Sequence, residues 1–377
     1  MNFDFNEEQY AFRDSVRGFL GDRPAGVGGA LPWAGESARQ LWSGIAELGV
    51  FSALVPEEFG GLGLTFVDLA LVLEEFGRAL VPPSVVETLV ATDAIVRHGS
   101  ADQKQSMLPR IATGQLRLAC AIIEQVAGYD MAEMGTAVVS DGRDYRLDGS
   151  KILVPEAANA DFLLVAAGFG GGRGNGLVFV ERTHSGVELR EQRTLDPASA
   201  YHEAVFRHVA IPRENILSGE PSSDALQRLF NASATAAGAL MTGVAGKVLE
   251  TSVEYVKQRS QFGKLIGSFQ AIKHRCADMA VAVDSSRSAA YYAAWSLASG
   301  AADLTKAVSI AKSFCGDTAR FVCNEGIQVH GGIGFTWDLG LHFYLRRAKL
   351  LEYSYGDSTY HRERVIREAL RELGTAD

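Results

Sequence analysis

The hydrophobic pattern of this chain changes its period twice, and that order constrains the fold more than any other feature. Residues 1–115 carry apolar side chains at helical spacing. Residues 116–223 instead hold short β-rich runs, separated by Asp-Gly, Gly-rich and Pro turns. From residue 224 the helical pattern returns and continues almost to the end. We therefore predict an α+β chain of three domains, 1–115, 116–223 and 224–377.

Several details refine the two helical regions. Asn6 and Asp68 are predicted to be N-caps, because each is a short polar residue that precedes an apolar-periodic run. The segment 232–246 is dominated by small side chains, which allow helices to approach closely, so we expect it to lie centrally in a helical bundle. Further helices are predicted over 266–298, 303–328 and 338–372.

Composition excludes several classes of function. The chain has 377 residues and a net charge of −9, which repels the phosphates of nucleic acids. Its four cysteines form no C-x-x-C pair and its eight histidines no H-E-x-x-H motif, so no metal site is predicted. The N-terminus has neither a basic region nor an apolar core typical of a secretion signal, and no 18-residue apolar run is present. These features predict a cytoplasmic protein without a membrane span.

A glycine-rich run at 168–176 could be mistaken for a dinucleotide-binding loop. In no register does it read G-x-G-x-x-G, and the segment that follows, LVFV, has the pattern of a strand rather than a helix. We therefore predict a hairpin connection between two strands.

Three motifs in the last 150 residues carry a resemblance to a known family. They read RSQFGK from Arg259, GSFQA from Gly267 and QVHGGIGF from Gln328, and the N-terminal region adds PEEFGGLG. Their order and spacing resemble the acyl-CoA dehydrogenase family over nearly the whole chain.

The resemblance implies both a fold and an activity. The fold would be an N-terminal helical domain, a middle β-barrel and a C-terminal four-helix bundle, usually assembled as a tetramer. The activity would be FAD-dependent α,β-dehydrogenation of an acyl-CoA thioester, in which a carboxylate removes the α-proton and a hydride passes to the flavin. An electron-accepting flavoprotein would then reoxidise the FAD.

The resemblance also assigns the residues that would contact FAD bound by a neighbouring subunit. A planar, permanently charged arginine suits a pyrophosphate, and glycines allow close approach of the backbone. The assigned residues are Arg259, Phe262, Gln328, Gly331 and Gly332. His330 lies within this motif, and we expect it to pack or to support the site rather than to act in catalysis.

The sequence departs from the family where the catalytic base should be. Alignment on Gly356 places Tyr355 at the position of the family's usual glutamate, and the alternative position in an earlier helix falls at or near Ser233. A phenol has a pKa of about 10, so it is a poor base at neutral pH. Asp357 and Glu352 are the nearest carboxylates in the sequence, and the identity of a base therefore stays open.

The β region departs as well. The family's strand after Gly-x-Lys usually carries an aromatic residue and a threonine that hold the flavin ring, where this chain has Leu153 and Pro155. The loop from Ile123 to Asp130 keeps three family residues but has Tyr129 in place of a small serine.

Three functions fit this combination. The chain is expected to be an FAD-dependent acyl-CoA dehydrogenase or a subunit of one. Alternatively it is a non-catalytic partner that completes the FAD site of a base-containing homologue, as in the heterotetrameric dehydrogenases of actinobacterial steroid side-chain degradation. A third alternative is a flavin monooxygenase of the same fold, which needs no α-proton base.

Overall fold

The computed structural model describes residues 5–21, 33–141 and 144–374. Two compact units are present. The first consists of the described residues of Met1–Ala34, Phe66–Val81 and Ala234–Asp377, and the second of those of Gly35–Thr65 and Pro82–Ser233. In chain order the elements follow the prediction, with helices first, then a sheet, then helices again. The predicted domain boundaries stay predictions.

The N-terminal region is helical, as predicted. Asn6 caps α1 by a reciprocal capping box with Gln9. Asp68 does not cap α3, because that helix already begins at Phe66; the Asp68 side chain lies in the first turn and accepts from Gln9 Nε2 at 2.8 Å. The helices are α1 (Glu7–Leu20), α2 (Glu36–Glu47), α3 (Phe66–Arg78), α4 (Pro83–His98) and α5 (Ala101–Ala112).

The middle region is a seven-stranded curled sheet with the strand order β1-β4-β2-β3-β7-β6, in which β5 pairs with β4. Its core is formed by alternating apolar residues of these strands, including Val138, Leu147, Leu163, Val178 and Phe206. The strands are β1 (Leu118–Ala121), β2 (Ala137–Asp141), β3 (Asp144–Pro155), β4 (Phe162–Phe169), β5 (Asn175–Glu181), β6 (Val187–Gln192) and β7 (Tyr201–Ile211).

The glycine-rich run is a hairpin connection, as predicted. It joins β4 to β5, which pair antiparallel from Gly168 opposite Asn175. Gly171, Gly172 and Gly174 all have positive φ, which side chains disfavour. The glycines therefore serve the turn.

The C-terminal region is helical but not as predicted at its end. A single helix was expected over 338–372, whereas the structure divides this segment at 354–357 into two helices. A short hairpin, β8 (Ser260–Gln261) and β9 (Lys264–Leu265), follows the first long helix. The helices are α6 (Ser223–Gln258), α7 (Gln270–Ser299), α8 (Leu304–His330), α9 (Leu341–Tyr353) and α10 (Ser358–Glu372).

The small residues of α6 do permit close helix packing. A Cβ atom added at Gly243 would lie 1.9 Å from the carbonyl oxygen of Glu74 in α3, and one at Gly77 would lie 2.0 Å from that of Leu240. Only glycine fits at these crossings, which confirms the central position predicted for 232–246. None of the described helices is long and apolar enough to cross a membrane.

Candidate functional site

The first predicted cofactor segment leaves the C-terminal end of α6. The Arg259 N–H closes the last helical turn on the Tyr255 carbonyl at 2.9 Å, and the Arg259 carbonyl accepts from Ile266 N–H at 2.8 Å. The chain then turns through the β8–β9 hairpin, where Phe262 has φ +54°. The Phe262 side chain is 91% exposed, so this ring projects from the chain instead of packing in its core.

The second predicted segment leaves the C-terminal end of α8. Gln328 is exposed in the last turn, and Gly331 follows with φ +65°. No atom lies within 4 Å of a Cβ added at Gly331 or Gly332, so open space adjoins this backbone. We call Arg259, Phe262, Gln328, Gly331 and Gly332 the helix-exit face.

The position of the expected base lies at the junction of α9 and α10. We call residues 352–357, the last two residues of α9 and the four that separate it from α10, the Tyr355 turn. Tyr355 has φ +56° and Gly356 φ +99°. The Tyr355 side chain packs on an apolar cluster that includes Ala293, Val308 and Ala311. A non-glycine residue with positive φ costs about 1 kcal/mol or more, so the surrounding structure must hold this turn in place.

Two buried side chains supply that constraint. Lys312 of α8 donates from Nζ to the carbonyls of Glu352 at 3.0 Å and Gly356 at 2.8 Å. His361 of α10 bonds through Nε2 to the Tyr355 carbonyl at 2.8 Å. Burial lowers the pKa of Lys312 to about 7, and burial together with the charge of Lys312 lowers that of His361 to about 3. His361 is therefore neutral at physiological pH.

Sequence reasoning missed both Lys312 and His361. A signal for Lys312 was present, since it is one lysine within the apolar run SIAKSF of a helix. Its burial follows from that pattern, but its partners do not, because they are backbone carbonyls of a distant turn.

The two alternative carboxylates are both engaged. Glu352 is 4% exposed and forms ion pairs of 2.9 Å with Arg320 and with Lys349. Asp357 caps α10 by accepting from Tyr360 N–H at 2.8 Å. Ser233, at the other family position of the base, is a buried serine on α6. The structure thus assigns structural partners to each candidate carboxylate.

In the strand expected to hold a flavin ring, the backbone N–H groups of Ile152 and Leu153 already donate hydrogen bonds within the chain. Leu153 takes φ +52° at an irregularity of β3, and its N–H donates to Gln192 Oε1 at 2.6 Å. The preceding residue, Ile152, donates its N–H to the Ile123 carbonyl at 2.9 Å. Pro155 has no N–H to offer. We call this segment (152–155) the β3 bulge.

The family residues retained in the 123–130 loop have structural partners. Glu124 is buried and accepts from Gly135 N–H at 2.7 Å, from Thr136 N–H at 3.0 Å and from Lys151 Nζ at 2.7 Å. Burial lowers the pKa of Lys151 to about 8, against the opposing effect of Glu124. Gly128 has φ +57° and donates its N–H to the Glu124 carbonyl at 3.0 Å.

Three family models match this chain. The acyl-CoA dehydrogenase N-terminal domain matches residues 6–115, the middle domain 119–209 and the C-terminal domain 223–370. The chain belongs to the acyl-CoA dehydrogenase family. The predicted fold and family are therefore confirmed, and the family's cofactor is FAD.

Individual relatives agree over almost their full length. A probable acyl-CoA dehydrogenase, YngJ of Bacillus subtilis, is 30% identical and covers 98% of this chain and 100% of its own. Butyryl-CoA dehydrogenase from Megasphaera elsdenii has a TM-score of 0.89 at 25% identity, with 98% and 100% of the two chains covered. A Tcur3481–Tcur3483 steroid ACAD has a TM-score of 0.88 at 30% identity, with 98% and 99% covered.

The described residues fit FAD at one place and not at the other. The helix-exit face presents an arginine, an aromatic ring and two unobstructed glycines, a donor set that suits a pyrophosphate and its adjoining groups. The β3 bulge does not fit a flavin ring, because its Leu153 amide is bonded within the chain and its proline has none.

Proposed function

We propose that this chain is a subunit of an FAD-dependent acyl-CoA dehydrogenase and completes the FAD site of a neighbouring subunit without removing the α-proton itself. The observation that carries the proposal is the engagement of both carboxylates at the Tyr355 turn. Glu352 lies in two ion pairs and Asp357 caps a helix, so neither is available as a base without loss of those contacts.

FAD, when bound, supplies the acceptor for the substrate hydride. The contribution of this chain is to hold the cofactor through the helix-exit face, with Arg259 against the pyrophosphate and Gly331 and Gly332 admitting close contact. The Tyr355 turn would then supply no carboxylate to remove the α-proton. Its backbone would stay fixed, because Lys312 and His361 donate hydrogen bonds to it.

The finer parts of the proposal concern substrate and assembly. The likeness to a steroid ACAD supports a bulky acyl-CoA, processed by a heterotetramer of this chain with a base-containing homologue, and a homotetramer is the alternative. An electron-accepting flavoprotein as redox partner and a cytoplasmic location also stay predictions. The monooxygenase alternative has the missing base in its favour, but no contact in the described residues selects it over a partner subunit.

Co-expression tests the proposal directly. The chain is produced alone and together with a base-containing homologue encoded in the same genome, and both preparations are analysed by light scattering and by flavin absorbance. We expect the co-expressed sample to form a hetero-oligomer with FAD at one per catalytic subunit. A chain that alone forms a stable monomer with bound FAD would overturn the proposal.

A further inference from the structure

A stacked aromatic pair joins the two helices that end at the helix-exit face. The rings of Tyr255 and His330 lie with their centroids 4.3 Å apart and an interplanar angle of 27°. Tyr255 lies one turn before Arg259 at the end of α6, and His330 is the last residue of α8 before Gly331. Each ring is therefore next to one of the two segments proposed to hold FAD.

Hydrogen bonds connect Tyr255 and His330 to the backbone at these helix ends. The Tyr255 carbonyl accepts from Arg259 N–H at 2.9 Å, and the Tyr255 hydroxyl donates to the His330 carbonyl at 3.5 Å. His330 Nδ1 lies 2.7 Å from the Gly326 carbonyl. Since a carbonyl only accepts, Nδ1 carries the hydrogen, and burial lowers the pKa of His330 so that Nε2 carries none.

The two helices are already in close contact one turn earlier. A Cβ atom added at Gly326 would lie 2.4 Å from Val248 Cγ1 and 3.2 Å from Ser252 Oγ. From Val248 to Tyr255 on α6, and from Gly326 to His330 on α8, the contacts progress in the same direction. The helices thus run parallel here, and the stack lies where both of them end.

We propose that Tyr255 and His330 are positioning residues that fix the distance between Arg259 and the Gly331–Gly332 backbone, so that both can reach one FAD. This inference rests on the proposed function of the helix-exit face. The proposed role depends on the stacking of the two rings; the Nδ1–H of His330 separately satisfies the Gly326 carbonyl in the last turn of α8.

The test measures FAD affinity of the co-expressed oligomer by titrating FAD into the apoprotein and following flavin fluorescence. His330→Ala and Tyr255→Ala remove the stack without removing a group assigned to the cofactor. We expect each to weaken FAD binding about tenfold, the middle of the range typical for coupled neighbours. His330→Phe and Tyr255→Phe keep two stacked rings and are expected to bind FAD within about twofold of the parent.

Tyr292→Ala is the matched control. Tyr292 also stacks in the helical region, on Trp295 with centroids 5.7 Å apart, and its loss reports the general effect of removing an aromatic side chain. We expect unchanged FAD affinity in this variant. If Tyr292→Ala weakens FAD as much as His330→Ala does, the effect is one of stability and the positioning role is wrong. Should the alanine variants at 255 and 330 fail to fold, His330→Leu and Tyr255→Leu replace them, because leucine removes the stack and keeps an apolar side chain there; parent-like FAD affinity in these variants contradicts the positioning role.

A double variant separates this inference from the proposed function. If the stack acts by placing Arg259, then His330→Ala in an Arg259→Ala background should weaken FAD less than about threefold. A full, additive loss in that background would refute the positioning role while leaving the FAD assignment intact. Unchanged FAD affinity in Arg259→Ala alone would instead refute the proposed function of the face.

Discussion

The helix-exit face and the Tyr355 turn both lie where helices end, but they differ in whether their polar groups are already hydrogen-bonded within the chain. At the helix-exit face Phe262 is 91% exposed and the Gly331–Gly332 backbone adjoins open space. At the Tyr355 turn, the carbonyls of Glu352, Tyr355 and Gly356 accept hydrogen bonds from buried donors. One region keeps groups available to a ligand, whereas the other uses them to hold its own backbone.

The β3 bulge resembles the Tyr355 turn in this respect. The Leu153 amide is satisfied by Gln192, and the Glu124 carboxylate is satisfied by Lys151 and two amides. An exposed aromatic ring and a glycine backbone that adjoins open space can be contacted by a ligand without any change in the chain. Groups whose hydrogen bonds are already formed within the chain need no ligand. The comparison therefore supports the proposed role, in which this subunit would contribute to a cofactor site through the helix-exit face alone.

The largest expected effect concerns turnover. With excess FAD and an artificial electron acceptor, the chain alone should oxidise acyl-CoA about 10²–10⁴-fold more slowly than a base-containing homologue, because Tyr355 and Ser233 stand at the two family positions of the general base. Tyr355→Glu should recover little, since the β3 bulge still does not seat the flavin. If the unmodified chain is active and Asp357→Asn or Glu352→Gln abolishes the activity, the base has moved. Robust turnover that survives both substitutions would show that the site has been misread.

The next effect tests whether Glu124 is structural. Glu124→Gln leaves the buried Lys151 ammonium without its carboxylate, and breaking such a pair typically costs about 3–5 kcal/mol. The free energy of unfolding, measured by urea denaturation without FAD, should fall by about that amount. Glu133→Gln is the control, because Glu133 is an exposed carboxylate of the same region. Equal stability of the two variants would show that the Glu124–Lys151 pair does not stabilise the fold.

Residues for the helix-exit face could be proposed from the sequence more readily than the contacts of the Tyr355 turn, for a physical reason. Arg259 and the glycines after Gln328 belong to short contiguous motifs, so the residue types that suggest a cofactor site are adjacent in the sequence. The contacts of the Tyr355 turn join residues 40 or 44 positions apart, as between Lys312 and the carbonyls of Glu352 and Gly356. Every residue carries a backbone carbonyl, so the sequence does not show which carbonyl will accept a hydrogen bond from a distant side chain. The same holds for Gln192, whose partner is an amide 39 residues away.

The prediction of helix ends from the sequence also succeeded only where the contacts are local. Asn6 was correctly predicted as a cap because its partner Gln9 lies three residues away. Asp68 was predicted wrongly as a cap, because the apolar residues Phe66 and Val67 belong to the helix that it was expected to start. The helical range predicted over 338–372 spans both α9 and α10, and its apolar pattern does not by itself show the break at Gly356. A Cβ there would lie 2.5 Å from Tyr360 Cδ1, a contact that only the folded chain reveals.

A smaller effect is expected at Arg259. Arg259→Ala removes a bidentate charged contact with the pyrophosphate, worth roughly 1.5–3 kcal/mol, so FAD affinity of the co-expressed oligomer should fall about ten- to 150-fold. The FAD affinity of Arg259→Lys should lie between those of the unmodified protein and Arg259→Ala, because lysine keeps the charge but not the planar guanidinium group. Arg367→Ala on α10 removes the same charge from an exposed position and should bind FAD normally. Equal affinities in the variants at 259 and 367 would remove the central contact of the helix-exit face.

The last expected effect is a pH dependence of stability that comes from the Tyr355 turn. The pKa of Lys312 is about 7 in the folded chain, and that of an unfolded lysine is about 10.4. Between these values the unfolded state binds the proton and the folded state does not. Stability from this group therefore rises with pH through this window, by up to about 1.4 kcal/mol per pH unit, and is flat below pH 7.

Lys312→Met isolates this contribution from the other titrating groups, which both proteins share. The free energy of unfolding of the unmodified chain minus that of the variant should increase from pH 7 to pH 9. Lys306→Met, on the same helix, is the control: its ammonium is paired with Glu372, and its pKa is raised by that hydrogen bond rather than lowered. The corresponding difference for Lys306 should not rise over this range. A flat difference for Lys312 would mean that its ammonium stays charged on the two carbonyls, and that the turn is held by charge at every pH tested.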